Sequence, residues 1–158
     1  MGVDESAEML KSCAANQKKQ IPERKVHLVD ADLNQGIAME KASVAILCLT
    51  LQFVRPLKRQ KLIADIYRQL PENGALIIVE KVLGEDSLFN RLFIKHYYEF
   101  KKRNNYTDTE IAKKREALEN VLIPYRLKEN EELLRDCGFK HIDTFFKWYN
   151  FSGFIAIK

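Results

Sequence analysis

Glycine is scarce and scattered in this chain. The 158 residues hold six, at positions 2, 36, 74, 84, 138 and 153, and no two of them form a Gly-x-Gly pair. A glycine-rich loop that cradles phosphates is therefore not expected within this sequence. Cysteine is equally sparse. Cys13, Cys48 and Cys137 are odd in number and far apart, so they read as buried thiols in a reducing cytoplasm rather than a disulfide framework. His27, His96 and His141 are scattered as well, and no Cys or His pair has the close spacing of a zinc site. Long apolar runs are missing. Val44 to Val54 is the longest, with 11 residues interrupted by Thr50 and Gln52, whereas a membrane helix needs about 20. The opening Met-Gly-Val-Asp-Glu-Ser lacks the basic-then-apolar pattern of a secretory signal. An excess of one charge is missing too. Lys and Arg number 26 against 22 Asp and Glu, a net charge of +4, too small to mark a dedicated nucleic-acid binder. These absences predict a cytoplasmic protein without direct nucleic-acid binding, membrane contact or a structural metal.

What remains is the composition of one ordinary domain, 46% hydrophobic and 30% charged. Gly2-Val3-Asp4 reads as the tail of a strand. From Ser6 to about Gln17, Met9, Leu10, Cys13 and Ala14 share one helical face. Lys18 to Lys25, with Pro22 and several charges, reads as a loop. Val26 to Ala31 reads as a strand, broken by Asn34-Gln35-Gly36. Ser43 to Phe53 is rich in β-formers and suits a strand buried on both faces. Pro56 opens a helix whose inner stripe is Leu62, Ile63, Ile66, Tyr67 and Leu70. Ala75 to Glu80 is a further buried strand. Strands alternating with helices in this order predict a parallel α/β sheet. The period then turns helical from Asp86 to about Asn104. Thr107-Asp108-Thr109-Glu110 has the form of a capping box, and a third helix ends at Cys137-Gly138. His141 to Asn150 and Phe154 to Lys158 read as a hairpin, so the last strand should run antiparallel.

In open α/β sheets, ligands sit at the carboxyl ends of the strands, and an acid after the second strand commonly takes ribose hydroxyls. Asp4 and Asp32 occupy such ends. The alternative is that both simply cap the turns that follow them. Arg115 lies among Lys113, Lys114 and Glu116. It is either part of a solvated helix face, with Glu119 one turn on, or a bidentate clamp for a carboxylate. The aromatic stripe from Phe89 to Phe100 is expected to be core or dimer contact rather than ligand box.

Gly2-Val3-Asp4-Glu5-Ser6-Ala7-Glu8-Met9-Leu10 resembles the second-strand motif of class I S-adenosylmethionine-dependent methyltransferases. Leu49-Thr50-Leu51-Gln52-Phe53, Tyr67-Arg68-Gln69-Leu70, Asn73-Gly74-Ala75-Leu76, Glu80-Lys81, Lys114-Arg115 with Leu118-Glu119-Asn120-Val121, and Cys137-Gly138-Phe139 are similar to one branch. That branch is the carboxy-S-adenosylmethionine synthases, and the resemblance runs from Gly2 to Lys158.

It implies a Rossmann-like class I methyltransferase fold, with a mostly parallel sheet and an antiparallel last strand. It also implies one domain over 1–158, with a helical lid and dimer insertion at about 83–127. The activity implied is conversion of S-adenosylmethionine and prephenate to carboxy-S-adenosylmethionine, for tRNA wobble-uridine modification, by a homodimer. Carried over residue by residue, Asp4 and Glu5 would bind the cofactor's ribose. Asp32 and Leu33 would hold its adenine, and Arg115 would engage the transferred carboxylate. Cys48 stands where the branch has an asparagine near the cofactor. The chain begins at the family's second strand, without the first strand and its glycine-rich turn, so a gap is expected between Gly2–Asp4 and the Ser43–Phe53 strand. Two other functions stay open: methyl transfer to a small molecule or tRNA, and a non-catalytic remnant that dimerises or binds a partner chain.

Overall fold

A computed structural model describes residues 1–20, 26–39 and 42–158. Strand β1 (Gly2–Asp4) leads into helix α1 (Ala7–Gln20), and β2 (Leu28–Asp30) pairs parallel to β1. Helix α1 runs to Gln20, into the segment expected to be loop; residues 21–25 of that segment lie outside the described residues. Strand β2 is shorter than expected. His27 precedes it and uses its carbonyl to accept the Gly2 N–H at 2.8 Å. A single 3-10 turn at Leu33–Gln35 ends on Gly36, whose φ of +100° favours glycine.

The second half carries a larger sheet. Strand β3 (Val44–Cys48) is followed by a 3-10 turn (Leu51–Phe53), helix α2 (Pro56–Gln69) and strand β4 (Ala75–Leu83). Helices α3 (Ser87–Arg103) and α4 (Asp108–Leu118) come next. The short strand β5 (Tyr125–Arg126), helix α5 (Leu127–Asp136) and strands β6 (His141–Trp148) and β7 (Phe151–Ile157) complete the chain. The sheet order is β3-β4-β7-β6, with β5 beside the end of β4. Strand β3 is parallel to β4, whereas β7 is antiparallel to both β4 and β6. The hairpin is tighter than expected, because β7 begins at Phe151.

Local chemistry accounts for the helix ends. Pro56 sits in the first turn of α2. Asp86 accepts the Leu88 N–H at 2.7 Å to start α3. The capping box of α4 forms in both directions, with the Glu110 N–H on Thr107 Oγ1 and the Thr107 N–H on Glu110 Oε2. Gly138 closes α5 with φ +106°, and a Cβ there would lie 2.9 Å from the Tyr67 ring.

The core is one-sided. Leu62, Ile63 and Ile66 of α2 and Leu134 of α5 pack on Leu76 and Ile78 of β4 and on Phe154 and Ala156 of β7. The expectation that the Ser43–Phe53 segment is a strand buried on both faces is therefore corrected. Its strand stops at Cys48, and within that strand only Ala45 and Leu47 are buried. Val44 and Ile46 point to the other face and are 51% and 64% exposed, because no helix among the described residues covers them. Strand β4 alternates in the same way between buried and half-buried residues. The cysteine expectation holds for Cys137 alone; Cys13 and Cys48 are exposed, and all three thiols are free.

The expected gap is present. Among the described residues no ladder joins β1 to β3, and the strands form two separate sheets. A cavity of about 620 Å³ lies between them, reached by Val3, Leu33, Val44, Ile46 and Cys48.

Candidate functional site

Two cavities open at the carboxyl ends of the strands. The first, of about 260 Å³, is lined by Asp4 and Glu5 after β1, Asp32 and Leu33 after β2, and Cys48, Leu49 and Thr50 after β3. All five cofactor-binding candidates from the amino-terminal half thus meet in one place. Both acids also cap the turns that follow. The Ser6 N–H donates to Asp4 Oδ1 at 2.8 Å. The Asn34 N–H and Nδ2 donate to Asp32 Oδ1, each at 2.8 Å, and these bonds hold the Asp32 carboxyl below the usual carboxylate range. The capping and binding roles are compatible. Among the described residues, Asp4 Oδ2 and the Glu5 carboxylate have no partner, and Asp32 Oδ2 has only a long contact to Gln35 Nε2 at 3.5 Å. Three acids with spare acceptor oxygens suit a cationic ligand that carries hydroxyl and amino donors.

Leu49 is a feature that sequence reading missed. It is a leucine with φ +55°, a conformation that costs strain in a branched aliphatic residue. The Leu49 N–H donates to the Val79 carbonyl at 2.7 Å, and this turn swings Thr50 into the cavity.

Glu80 fixes that turn. Its carboxylate is 2% exposed and accepts the N–H groups of Thr50 (2.9 Å), Leu51 (2.7 Å) and Gln52 (3.1 Å). Burial pushes its pKa up to about 7, against the pull of those three donors and of Arg59. Arg59 is itself buried. It donates to the carbonyls of Val54 (2.9 Å), Gln52 (3.2 Å) and Ile123 (2.6 Å) and stacks over Tyr125 at 4.2 Å. The turn that borders the first cavity is thereby tied to the segment after α4.

The residue after Glu80 belongs to the second cavity. Lys81, Lys101, Lys114 and Arg115 line a space of about 460 Å³ between α3, α4 and the end of β4. The backbone N–H of Lys81 donates to Gln52 Oε1 at 3.1 Å, so one buried turn positions both cavities. Arg115 lies here and not among the acids; the structure does not bring it into the cavity of Asp4 and Asp32. The aromatic stripe of α3 divides. Tyr97 faces the second cavity and Phe100 packs edge-on against Trp148 at 5.0 Å, while Leu88 and Phe89 are more than half exposed. Among the described residues no cluster of His, Cys, Asp and Glu could hold a metal, and no helix is long and apolar enough to cross a membrane.

A mostly parallel sheet with an antiparallel last strand and an acid-lined cleft at its carboxyl edge defines the class I methyltransferase fold. The methyltransferase domain family matches residues 1–78. Among solved structures, an O-methyltransferase family 2 protein from Planctomyces limnophilus superposes with a TM-score of 0.66 at 21% identity, over 99% of this chain and 41% of that one. The S-adenosylmethionine-dependent methyltransferase SibL gives 0.65 at 14% identity, over 99% and 42%. By sequence the chain is similar to carboxy-S-adenosyl-L-methionine synthases. It is 61% identical over all its 158 residues to the synthase of Methylococcus capsulatus, and 45% identical to that of Nautilia profundicola. It spans 65% and 66% of the length of those two relatives.

Proposed function

We propose that the chain contributes to conversion of S-adenosylmethionine and prephenate to carboxy-S-adenosylmethionine, the product serving tRNA wobble-uridine modification in the cytoplasm. The observation that carries this reading is the single cavity that gathers Asp4, Glu5 and Asp32 from the ends of two strands against Cys48 at the end of a third. The family's shared name supports it. The residues fit the adenosyl cofactor, because unpartnered carboxylate oxygens face the space where hydroxyl, amino and sulfonium groups need acceptors or counter-charge. In this reading Asp4 and Glu5 accept from the ribose hydroxyls and Asp32 from the adenine amino group. Leu33 packs on the base. Cys48 and Thr50 close the third wall.

The cofactor supplies the methyl carbon that receives the carboxyl group. The protein's part is to hold opposite charges in fixed places. Arg115 is suited to a carboxylate because its guanidinium stays charged and presents a planar fork. The helices within 83–127 act as lid and dimer contact, with the exposed Leu88 and Phe89 of α3 facing a second copy.

Incubation with S-adenosylmethionine, with and without prephenate, tests the reading by product mass. A product heavier by one carboxyl group, formed only with prephenate and lost in Arg115→Leu, is expected. Methyl transfer without prephenate would replace this reading with ordinary methyltransferase chemistry.

A further inference from the structure

Helix α4, which carries Lys114 and Arg115, has little of its own to hold it. Ile111 is its one buried residue, and its start is tied by the local Thr107–Glu110 box and an exposed ion pair between Lys102 and Asp108 at 2.6 Å. Exposed pairs of that kind fix a position weakly. The exit of α4 is held differently. Leu118, Glu119, Leu122 and Pro124 line the second cavity beside Arg115, and two arginines at the start of α2 reach that segment.

Arg55 directly precedes α2. Its backbone N–H donates to Asn34 Oδ1 at 3.0 Å, and its Nη1 donates to the Asn120 carbonyl at 3.2 Å. Asn34 is the residue whose N–H and Nδ2 bond Asp32 in the first cavity. Arg59 makes the second tie. Its Nη2 donates to both the Gln52 and the Ile123 carbonyls, and the Ile123 N–H returns to the Gln52 carbonyl at 2.9 Å. Gln52 ends the turn that Glu80 clamps, and that turn carries Leu49 and Thr50 into the first cavity. Two hydrogen-bonded routes thus run from the acid cavity to the exit of α4, one exposed and one buried. Arginine suits such a junction, because its rigid fork of donors can join carbonyls from separate segments. Linked hydrogen bonds of this kind carry a change at one end to the other.

We infer that Arg55 and Arg59 are positioning residues: they register the exit of α4, and with it Arg115, against the wall of the acid cavity, so that a cofactor entering the first cavity orders the second. This rests on the proposed function for the cofactor in the first cavity and for the task of Arg115. Neither arginine lies in a motif that carries the resemblance.

Hydrogen exchange of the 158-residue chain, with and without saturating S-adenosylmethionine, tests this. In the wild type the cofactor should slow the Val121, Leu122 and Ile123 amides about fivefold or more, the lower end of ordinary coupling between sites. The Val3, Asp4 and Ala31 amides beside the first cavity should slow as well. The Asn104 amide at the end of α3, which neither route reaches, should not change. Arg55→Met removes the bond to Asn120 and leaves the backbone bond to Asn34, while Arg59→Lys keeps the charge but not the fork. Each should cut the slowing at residues 121–123 to about twofold or less, with that at Val3, Asp4 and Ala31 retained. A merely structural role would speed exchange by the same factor with and without cofactor and leave the slowing intact. If Arg59→Lys does not fold, Arg55→Met decides. Slowing at Val3, Asp4 and Ala31 without any at residues 121–123 in the wild type, or full slowing there in every variant that folds, overturns the inference and spares the cofactor cleft. No slowing anywhere sinks the cofactor reading and the inference with it.

Discussion

The two sheets of this molecule are built on different terms. Every buried apolar residue among those described is numbered 45 or higher, so the β3-β4-β7-β6 sheet with α2 and α5 owns the core. The β1-α1-β2 unit has no buried residue among those described, yet it supplies Asp4, Glu5, Asp32 and Leu33 to the acid-lined cavity. It is held by a three-residue ladder, two capping acids and a loop onto α2. Stability is concentrated on one side of the cleft and ligand chemistry on the other. Elements that bind and release ligands are commonly drawn from the less stable end of a structure.

The contrast can be broken by mutation. Phe154, wholly buried in β7, should cost about 3–5 kcal/mol when changed to alanine; urea unfolding followed by circular dichroism measures it. A cost below 1 kcal/mol would show that the core lies elsewhere.

Glu80 gives the next effect. Its pKa of about 7 in the fold exceeds the ordinary value of 4.5, so the folded chain keeps a proton that the unfolded chain releases. The stability it contributes is full below about pH 4.5 and is lost as pH rises through about 7. The loss is about 3 kcal/mol at most, at 1.36 kcal/mol per pH unit. Glu80→Gln should flatten that part of the stability–pH curve; an unchanged slope would assign it to other groups.

Val3→Ala in β1 should change global unfolding by less than about 1 kcal/mol, because its side chain is only half-buried. Thiol labelling sharpens the same divide. Cys13 and Cys48 are exposed, whereas burial pushes the Cys137 thiol up to about 11 and it donates to the Gln60 carbonyl at 3.4 Å. Two thiols should react in the folded chain and the third only after unfolding, with S-adenosylmethionine slowing Cys48 but not Cys13.

Much of this was legible in the residues themselves. The inner stripe of α2, the Thr107–Glu110 capping box and the Gly138 cap depend on neighbours within a few positions, and the structure shows all three. Periodicity misjudged the burial of β3 and β4, because an apolar strand looks the same whether or not a helix covers its second face. Cys48 came only from the resemblance, because the expected strand ran on to Phe53 and the observed one stops at Cys48, whereas the placing of Asp4 and Asp32 was readable from strand ends. The buried clamp of Glu80 on three backbone N–H groups was not, since its partners lie 28 to 30 residues away. Nor could the sequence show that Arg115 shares a cavity with Lys81 and Lys101 rather than with the acids.

Hydrogen exchange with and without S-adenosylmethionine tests most directly whether the acid cavity is a cofactor site that spans the two sheets. Slower exchange of the Val3, Asp4 and Ala31 amides on adding the cofactor is predicted, with Ile77 to Val79 of the core little changed. Unaltered exchange in the β1-α1-β2 unit at saturating cofactor would contradict the assignment.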